Sequence, residues 1–421
     1  MSTTAGRDLL GARLADQLQQ RVAANQAFFA DCEEPLARLC HRMAERFAAG
    51  GRLVAFGATA SARSDARHVA VEFVHPVIVG KRALPAIGLA GEGGALRRQV
   101  GLLARPSDIA MAFGAGEDDG EAAAALALAR ARGCLTIAFA PAGAEWEFEP
   151  PSADPHVRQE LAETLYHLLW ELVHVFFEHR GLLAGRDRRP THDAGAAAFL
   201  YPFLDEREDA LEPVIESVRE SVRLKAQEID ELRAATLTGE AGAVLADAAA
   251  ATLAALRAGG KVLAFGNGGS ATDAMDLVAD LREPAAGARA AGGRAAGPRA
   301  WPAIDLTEDA SILTAVANDI GVEAMFARQV IAYGEPGDVL VALSTSGNSR
   351  NLVAALREAR TRGLTTIAFA GYDGGAVLAE ALADHVVVSP SEHIPRIQEA
   401  QASAYHALCV LVDTLDAGEA P

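Results

Sequence analysis

Three short segments recur in the same order in the two halves of this 421-residue chain. The paired segments are 47–57 (FAAGGRLVAFG) with 256–266 (LRAGGKVLAFG), 129–140 (ARARGCLTIAFA) with 359–370 (ARTRGLTTIAFA), and 157–160 (VRQE) with 396–399 (RIQE). Three paired segments in the same order predict that the chain contains a duplicated domain. A chain of 421 residues is long enough to build two separate hydrophobic cores.

Each half alternates short apolar strands with amphipathic helices. In the second half the strands are predicted at residues 262–265, 303–306, 339–343, 366–370 and 385–388. Continuous apolar strands indicate a parallel sheet that is covered on both faces. We therefore predict an α/β protein of two domains, each a flavodoxin-like or Rossmann-like sheet between helical layers.

A polar, Arg- and Gly-rich segment at residues 185–195 marks the predicted boundary. The expected domains are residues 1–190 and 191–421. Their leading helices are predicted at residues 9–29 and 204–234.

The formal net charge of −18 disfavours nucleic acid as a partner, because such binding needs a cationic surface. An anionic ligand must then be held locally, by backbone N–H groups and hydroxyls. The four scattered cysteines form no CxxC pair, which argues against a thiolate zinc site or a redox motif. Without a signal peptide or an apolar stretch of about 18 residues, we expect a cytoplasmic protein with no membrane segment.

Two loops of the second half have the composition of a phosphate site. The loop 266–270 (GNGGS) follows a predicted strand and precedes a helix expected from about residue 271. Its glycines allow a ligand to approach the backbone, and the helix start favours an anion. The loop 344–349 (STSGNS) carries four hydroxyls, whereas an ordinary helix cap needs one. Both loops are expected at the carboxyl edge of the sheet, where ligands bind.

The corresponding loops of the first half are degenerate. Residues 57–64 (GATASARS) lack the glycine pair, and residues 113–119 (FGAGEDD) place three carboxylates where hydroxyls are needed. Because like charges repel a phosphate dianion, we expect phosphate binding only in the second half.

The order GNGGS, Asn318-Asp319, STSGNS, and RIQE followed by a histidine resembles the SIS (sugar isomerase) domain family, and within it the phosphoheptose isomerases. The resemblance implies substrate contacts from Asn267, Gly268, Gly269, Ser270, Asn318 and Asp319. It implies that the phosphate is held by Ser344, Thr345, Ser346 and Ser349.

The resemblance also implies a zinc site in which a His and a Glu lie four residues apart on one helix, and a Gln and a His eight apart on another. The first half matches this pattern with His68, Glu72, Gln159 and His167. The second half has Asp276, Asp280, Gln398 and His406 at the same positions. This second set is richer in oxygen, which could shift the preference from zinc toward manganese or magnesium.

The implied reaction is aldose–ketose isomerisation of a sugar phosphate, such as sedoheptulose 7-phosphate to heptose 7-phosphate through an enediol. Glu72 or Asp280 is the candidate base, and His167 or His406 the candidate acid. Because family sites lie between subunits, we expect a homodimer that imitates a tetramer of SIS domains. The first half then either contributes His167 to the site or keeps a structural metal; alternatively, it is retained only for assembly.

Two other functions remain open at this stage. A SIS enzyme that acts on another phosphosugar would keep the same loops. A non-catalytic sugar-phosphate-binding or scaffold protein would keep the fold without turnover. A transcription regulator is disfavoured, because the chain has no basic helix-turn-helix segment.

Overall fold

The computed structural model describes residues 3–78, 80–89, 95–115, 120–183, 210–283 and 299–418. The chain divides into two compact units, each built from more than one segment. One unit comprises residues 1–25, 152–160 and 228–421 and is called the β6–β10 unit after its strands, from β6 (Val262–Phe265) to β10 (His385–Ser389). The other comprises residues 26–151 and 161–227 and is called the β1–β5 unit after its strands, from β1 (Leu53–Phe56) to β5 (Trp146–Glu147). The predicted boundary at 185–195 lies outside the described residues, and the division at residue 190 stays a prediction.

The elements up to residue 183 include the first sheet. They are α1 (Thr3–Ala48), β1 (Leu53–Phe56), α2 (Ala60–Val74), β2 (Ala86–Leu89), α3 (Leu96–Leu103), β3 (Ile109–Ala112), α4 (Glu121–Ala131), β4 (Leu135–Ala138), β5 (Trp146–Glu147), α5 (Pro155–Glu178) and a 3-10 turn (Arg180–Leu182).

The elements from residue 211 onward include the second sheet. They are α6 (Leu211–Leu237), α7 (Gly239–Arg257), β6 (Val262–Phe265), α8 (Gly269–Arg282), β7 (Ala303–Asp305), α9 (Ala310–Asp319), a 3-10 turn (Val322–Ala324), α10 (Ala327–Tyr333), β8 (Val339–Ser344), α11 (Arg350–Thr361), β9 (Thr365–Gly371), α12 (Gly375–Ala379), β10 (His385–Ser389) and α13 (Ile394–Asp416).

The two sheets have the same strand order. The first runs β2-β1-β3-β4-β5 and the second β7-β6-β8-β9-β10, with parallel pairing throughout both. In each sheet the first strand in the chain lies between the second and the third. The predicted fold class, two parallel sheets flanked by helices, is confirmed.

Both faces of the second sheet are covered, as its apolar strands predicted. Along β6, Val262 and Ala264 pack into one apolar cluster, and Leu263 and Phe265 pack into another. Because successive side chains of a strand point to opposite faces, the two clusters lie on the two sides of the sheet. The five predicted strands match the observed ones to within one residue at each end.

The leading helix of the chain is longer than predicted. The prediction ended at residue 29, but α1 continues to Ala48. Leu36, Leu39 and Met43 keep burying apolar surface at helical spacing, so the helix continues beyond Pro35. In the second half, the predicted start at residue 204 lies outside the described residues.

One described helix, α7, is long and apolar enough to cross a membrane by length and composition alone. Its side chains Leu245, Ala249 and Leu253 are buried in an apolar cluster of the β6–β10 unit. Core burial therefore accounts for this apolar face.

A buried aspartate occupies the same position in both sheets. Asp108, just before β3, accepts hydrogen bonds from the backbone N–H groups of Arg52 (2.9 Å) and Arg105 (3.0 Å). Asp338, just before β8, accepts them from Lys261 (3.0 Å) and Glu335 (2.9 Å). Each aspartate also pairs with a cation, Arg52 or Lys261 respectively. Each thereby joins the starts of two neighbouring strands.

We expect Asp108→Asn and Asp338→Asn each to lower the free energy of unfolding by about 1–3 kcal/mol, because the amide loses the charge and turns a donor toward backbone donors. Guanidinium titration of the full chain measures the change. Glu358→Gln, which breaks a partly exposed pair with Arg362, is the control and should cost less than about 0.5 kcal/mol. Equal losses in the three variants would contradict the role of the buried aspartates.

Candidate functional site

The GNGGS loop joins the end of β6 to the start of α8. A Cβ on Gly266 would lie 2.3 Å from the carbonyl oxygen of Ser270, so the close turn requires glycine there. Gly268 has a φ of +60° and caps α8 without a side chain. The N–H groups of Ser270 and Ala271 donate to the carbonyl oxygens of Asn267 (3.1 Å) and Gly268 (3.0 Å). Within the described residues, the amide of Gly269 is the one at this helix start that is left to a ligand or to water.

The STSGNS loop joins β8 to α11 and is folded by its own hydroxyls. The N–H of Gly347 donates to Ser344 Oγ (3.1 Å), and the N–H of Asn348 donates to Ser346 Oγ (3.2 Å). Ser349 is the N-cap residue of α11, but its side chain makes no capping hydrogen bond within the described chain. Ordinary capping thus does not account for the Ser349 hydroxyl.

Two contacts connect these loops to each other and to α13. The side-chain amides of Asn267 and Asn351 exchange hydrogen bonds of 3.1 and 2.8 Å across 84 residues of sequence. Gln401 on α13 donates to the carbonyl oxygen of Ser344 (3.0 Å). The predicted substrate loops therefore lie together at the carboxyl ends of β6 and β8.

The sugar-binding pair Asn318 and Asp319 lies at the end of α9. Both residues are exposed, and the amide of Asn318 donates to the carboxylate of Asp319 (2.7 Å). Their predicted contact with the sugar stays a prediction.

Three of the four second-half positions form one cluster. Asp276 and Asp280 on α8 and His406 on α13 each offer a ligand atom, and these atoms lie within 4.8 Å of one another. His406 Nε2 is 3.1 Å from Asp276 Oδ2 and 3.6 Å from Asp280 Oδ2. The fourth position, Gln398, is 2% exposed and lies two turns before His406 on α13.

Two residues from the start of α5 extend this cluster, which is called the His406 cluster below. Glu160 Oε1 is 2.9 Å from His406 Nδ1. The ring of His156 stacks on that of His406 at 4.6 Å between centroids, and its Nε2 is 3.4 Å from Asp280 Oδ2. Residues 152–160 belong to the β6–β10 unit, although they lie in the first half of the sequence.

Charge within the His406 cluster is balanced by close partners. Burial opposes the ionisation of Glu160, but Arg21 and His406 outweigh it and hold the pKa of Glu160 well below its usual range. Burial also favours a neutral His406, yet its hydrogen bonds to Asp276 and Glu160 raise the pKa of His406 to about 10. Asp280 is likewise buried, and His156 keeps the pKa of Asp280 below its usual value. The cluster without a metal therefore holds an imidazolium among carboxylates.

The His406 cluster fits a divalent metal. Asp276 Oδ1, Asp280 Oδ2 and both ring nitrogens of His156 are buried without a hydrogen bond from the described residues. Ligands bound to one tetrahedral metal at about 2.0–2.2 Å lie about 3.3–3.6 Å apart. The distances of 3.1 and 3.6 Å from His406 Nε2 to the two aspartates are close to that spacing.

A second cluster lies in the β1–β5 unit. His68 on α2 and Glu163 and His167 on α5 are buried with ligand atoms within 4.8 Å of one another. The two Nε2 atoms are 3.4 Å apart, and His68 Nε2 is 3.9 Å from Glu72 Oε1. This set brings together the predicted His68, Glu72 and His167. The predicted fourth ligand, Gln159, falls in the β6–β10 unit.

The helix after the first-half loop has a side-chain cap, whereas the helix after the second-half loop has none. Thr59 caps α2, and its hydroxyl accepts a hydrogen bond from the N–H of Ala62 (3.2 Å). One amide at this helix start is thus already occupied by the chain itself. The acidic residues 116–119 lie outside the described residues.

Sequence reasoning missed Glu160, Glu163 and His156. Glu160 was visible as the last residue of the repeated VRQE segment, and Glu163 stands four residues before His167, on the same helix face. His156 carries no comparable signal in the sequence. Only the fold brings it to His406.

Comparisons with known proteins agree with these features. A SIS-domain family model matches residues 226–371. The chain is 44% identical to the phosphoheptose isomerase of Rhodospirillum rubrum over 192 residues, which is 44% of this chain and 96% of that protein. It is 42% identical to the phosphoheptose isomerase of Aquifex aeolicus over 205 residues, covering 49% of this chain and 97% of that protein.

A likeness of fold extends over almost the whole chain. The C-terminal domain of glucosamine-fructose-6-phosphate aminotransferase from Francisella tularensis superposes with a TM-score of 0.55 at 9% identity. The match covers 96% of this chain and 94% of that domain, and it concerns the fold alone. The identities of 44% and 42% over nearly the full length of the two relatives show the family: the chain belongs to the phosphoheptose isomerase family of SIS-domain enzymes.

Proposed function

We propose that this protein interconverts the ketose and aldose forms of a phosphorylated sugar, with sedoheptulose 7-phosphate as substrate and heptose 7-phosphate as product. One observation carries the proposal: α8 and α13 each connect a phosphate loop to the His406 cluster. The GNGGS loop opens α8, which bears Asp276 and Asp280. On α13, Gln401 holds the STSGNS loop through Ser344, and His406 stands five residues later.

Different residues bind the phosphate and the sugar of the substrate. We assign the phosphate to the hydroxyls and amides of Ser344, Thr345, Ser346 and Ser349. The sugar contacts are assigned to the following residues: Asn267, Gly268, Gly269, Ser270, Asn318, Asp319 and Gln398. Neutral donors at two helix starts can hold a dianion although the whole chain is acidic.

Within the His406 cluster, Asp280 is the better candidate for the base. The side chain of Asp276 is 1% exposed, and its Oδ2 accepts hydrogen bonds from Tyr405 (2.9 Å) and His406. The side chain of Asp280 is 12% exposed, and its Oδ2 lies 3.4 Å from His156 Nε2 and 3.6 Å from His406 Nε2. Asp280 is therefore the more accessible of the two carboxylates and the better candidate to take the proton beside the carbonyl, and His406 is the candidate acid. In the other unit, Glu72 and His167 remain the candidate base and acid.

A divalent metal, when bound, would polarise the substrate carbonyl and stabilise the enediolate. Zinc fits the nitrogen-rich set of His68, Glu163 and His167, to which Glu72 is adjacent. The set of Asp276, Asp280 and His406 has more oxygen and also accommodates manganese.

The shared strand order and the repeated aspartates Asp108 and Asp338 support an origin of the two halves by duplication. We propose that two chains pair as a homodimer, which presents four SIS domains, and that the enzyme works in the cytoplasm. A non-catalytic scaffold is the competing function. It is favoured by one observation: without a metal, the His406 imidazolium is hydrogen-bonded through both nitrogens, to Glu160 and Asp276.

If the STSGNS loop holds the phosphate, Ser344→Ala and Ser346→Ala will each raise the Kd for sedoheptulose 7-phosphate about 10–100-fold, because each hydroxyl donates to a charged group. Isothermal titration calorimetry measures this Kd. Ser221→Ala, on α6, is the matched control and should bind as the parent does. Saturable binding that survives both loop substitutions would contradict the assignment of the phosphate.

Turnover should require metal and at least one histidine. Protein stripped with a chelator should lose activity and regain it with zinc, and His406→Ala should lower kcat at least about 100-fold, as expected for the loss of a group that binds the metal or transfers a proton. His167→Ala tests the contribution of the first half, and the exposed His75→Ala serves as control. Loss only with His406→Ala would exclude a role for His167 in turnover. No turnover under any condition would favour the scaffold.

The pH dependence of stability tests the charge of His406. Its folded pKa of about 10 exceeds the ordinary value of 6.5, so the folded protein keeps a proton that the unfolded chain releases between these values. In chelator-treated protein, this group should lower the free energy of unfolding as pH rises, by up to about 1.4 kcal/mol per pH unit. Denaturant titrations at pH 6.5 and 8.5 measure the slope, and His406→Gln should reduce it. An identical slope in that variant would contradict the raised pKa.

A further inference from the structure

Glu160 has a fully occupied carboxylate in the middle of the β6–β10 unit. Arg21 donates two hydrogen bonds to this carboxylate, from Nε to Oε2 (2.9 Å) and from Nη2 to Oε1 (2.8 Å). Ser403 Oγ donates to Oε2 (2.6 Å), and His406 Nδ1 lies 2.9 Å from Oε1. The side chains of Arg21, Glu160 and His406 are 2%, 1% and 0% exposed, so water does not compete with these bonds.

This arrangement determines which nitrogen of His406 keeps its proton when the other nitrogen binds a metal. A carboxylate held by an arginine is ionised and can only accept hydrogen bonds. The 2.9 Å contact therefore requires a proton on His406 Nδ1. The other nitrogen, Nε2, is then the atom that faces Asp276 Oδ2 and Asp280 Oδ2.

We propose that Glu160 is a positioning residue for the His406 cluster: it holds the imidazole with Nδ1–H toward itself and presents Nε2 to Asp276 and Asp280. The same pattern, a carboxylate that orients a metal-ligating histidine, raises the basicity of the ligand and fixes the ring. Because Glu160 lies in the first half of the sequence, that half supplies part of the site of the second. This inference rests on the proposed function only for its effect on turnover.

A purely structural role is the alternative. A buried arginine–carboxylate pair stabilises little once its desolvation is counted, whereas breaking it is costly. Any substitution of Glu160 will therefore lower stability, whether or not the residue positions His406. The test must separate loss of stability from loss of positioning.

The decisive variant is Glu160→Gln, made in a His68→Gln background so that the β1–β5 cluster contributes less to zinc binding. Competition with a fluorescent chelator measures the Kd for Zn²⁺. We expect Glu160→Gln to raise that Kd about 10–100-fold, the usual cost of removing such an orienting group. The matched control is Asp338→Asn in the same background, which also breaks a buried carboxylate–cation pair of this unit and should change the Kd less than about 2-fold.

A direct measurement covers the case in which Glu160→Gln fails to fold. Long-range ¹⁵N spectra of histidine-labelled, zinc-loaded parent protein report which ring nitrogen is protonated. We expect His406 to carry its proton on Nδ1 and zinc on Nε2. Zinc on Nδ1, or a zinc Kd for Glu160→Gln equal to that of Asp338→Asn, overturns the proposal.

Turnover of sedoheptulose 7-phosphate separates this inference from the proposed function. If Glu160→Gln weakens zinc binding but the parent does not turn over, the positioning role stands and the isomerase function fails. If the parent turns over and Glu160→Gln has the zinc Kd and kcat of the control, the function stands and the positioning role fails. A positioning role predicts that kcat falls while KM, set by the phosphate loops, stays within about 3-fold of the parent value.

Discussion

A carboxylate and an imidazolium can remain charged away from water only if each has close partners of opposite charge and enough hydrogen bonds. In the β6–β10 unit that requirement is met by a continuous series of contacts from Arg21 through Glu160 and His406 to Asp276. The contacts join α1, α5, α13 and α8, four helices that are distant in sequence. The placement of the catalytic candidates therefore depends on satisfying buried charge as much as on the apolar core.

The two units cap the helix after the first strand of each sheet differently, with a glycine in one and a threonine in the other. At the start of α8 the cap is a glycine, and backbone carbonyl oxygens accept from the amides of Ser270 and Ala271, whereas at the start of α2 the side chain of Thr59 bonds one amide. Both units nevertheless keep histidine and carboxylate on the helices that follow. The units thus differ in a few loop residues, whereas in both the clustered histidine and carboxylate side chains lie on helices.

Much of the fold could be predicted because it follows from local pattern. The five strands of the second half are uninterrupted apolar runs, and the loops after β6 and β8 contain the glycines and hydroxyls that a phosphate site needs. The joining of His68 with His167 and of Asp276 with His406 was implied by the resemblance to the phosphoheptose isomerases. Glu160 and His156 could not be placed in this way, because their partner His406 lies 246 and 250 residues later, and no periodicity connects positions so far apart. The length of α1 was also missed, because a proline usually ends a helix and Pro35 does not.

The membership of residues 152–160 in the β6–β10 unit has a consequence for how such a gene can change. A recombination event at residues 185–195 would exchange whole sheets but would separate Glu160 from His406. The chimera would inherit a histidine without the partner that it evolved beside. We therefore expect the two halves to be inherited together. We also expect substitutions at Glu160 and His406 to co-vary among descendant sequences.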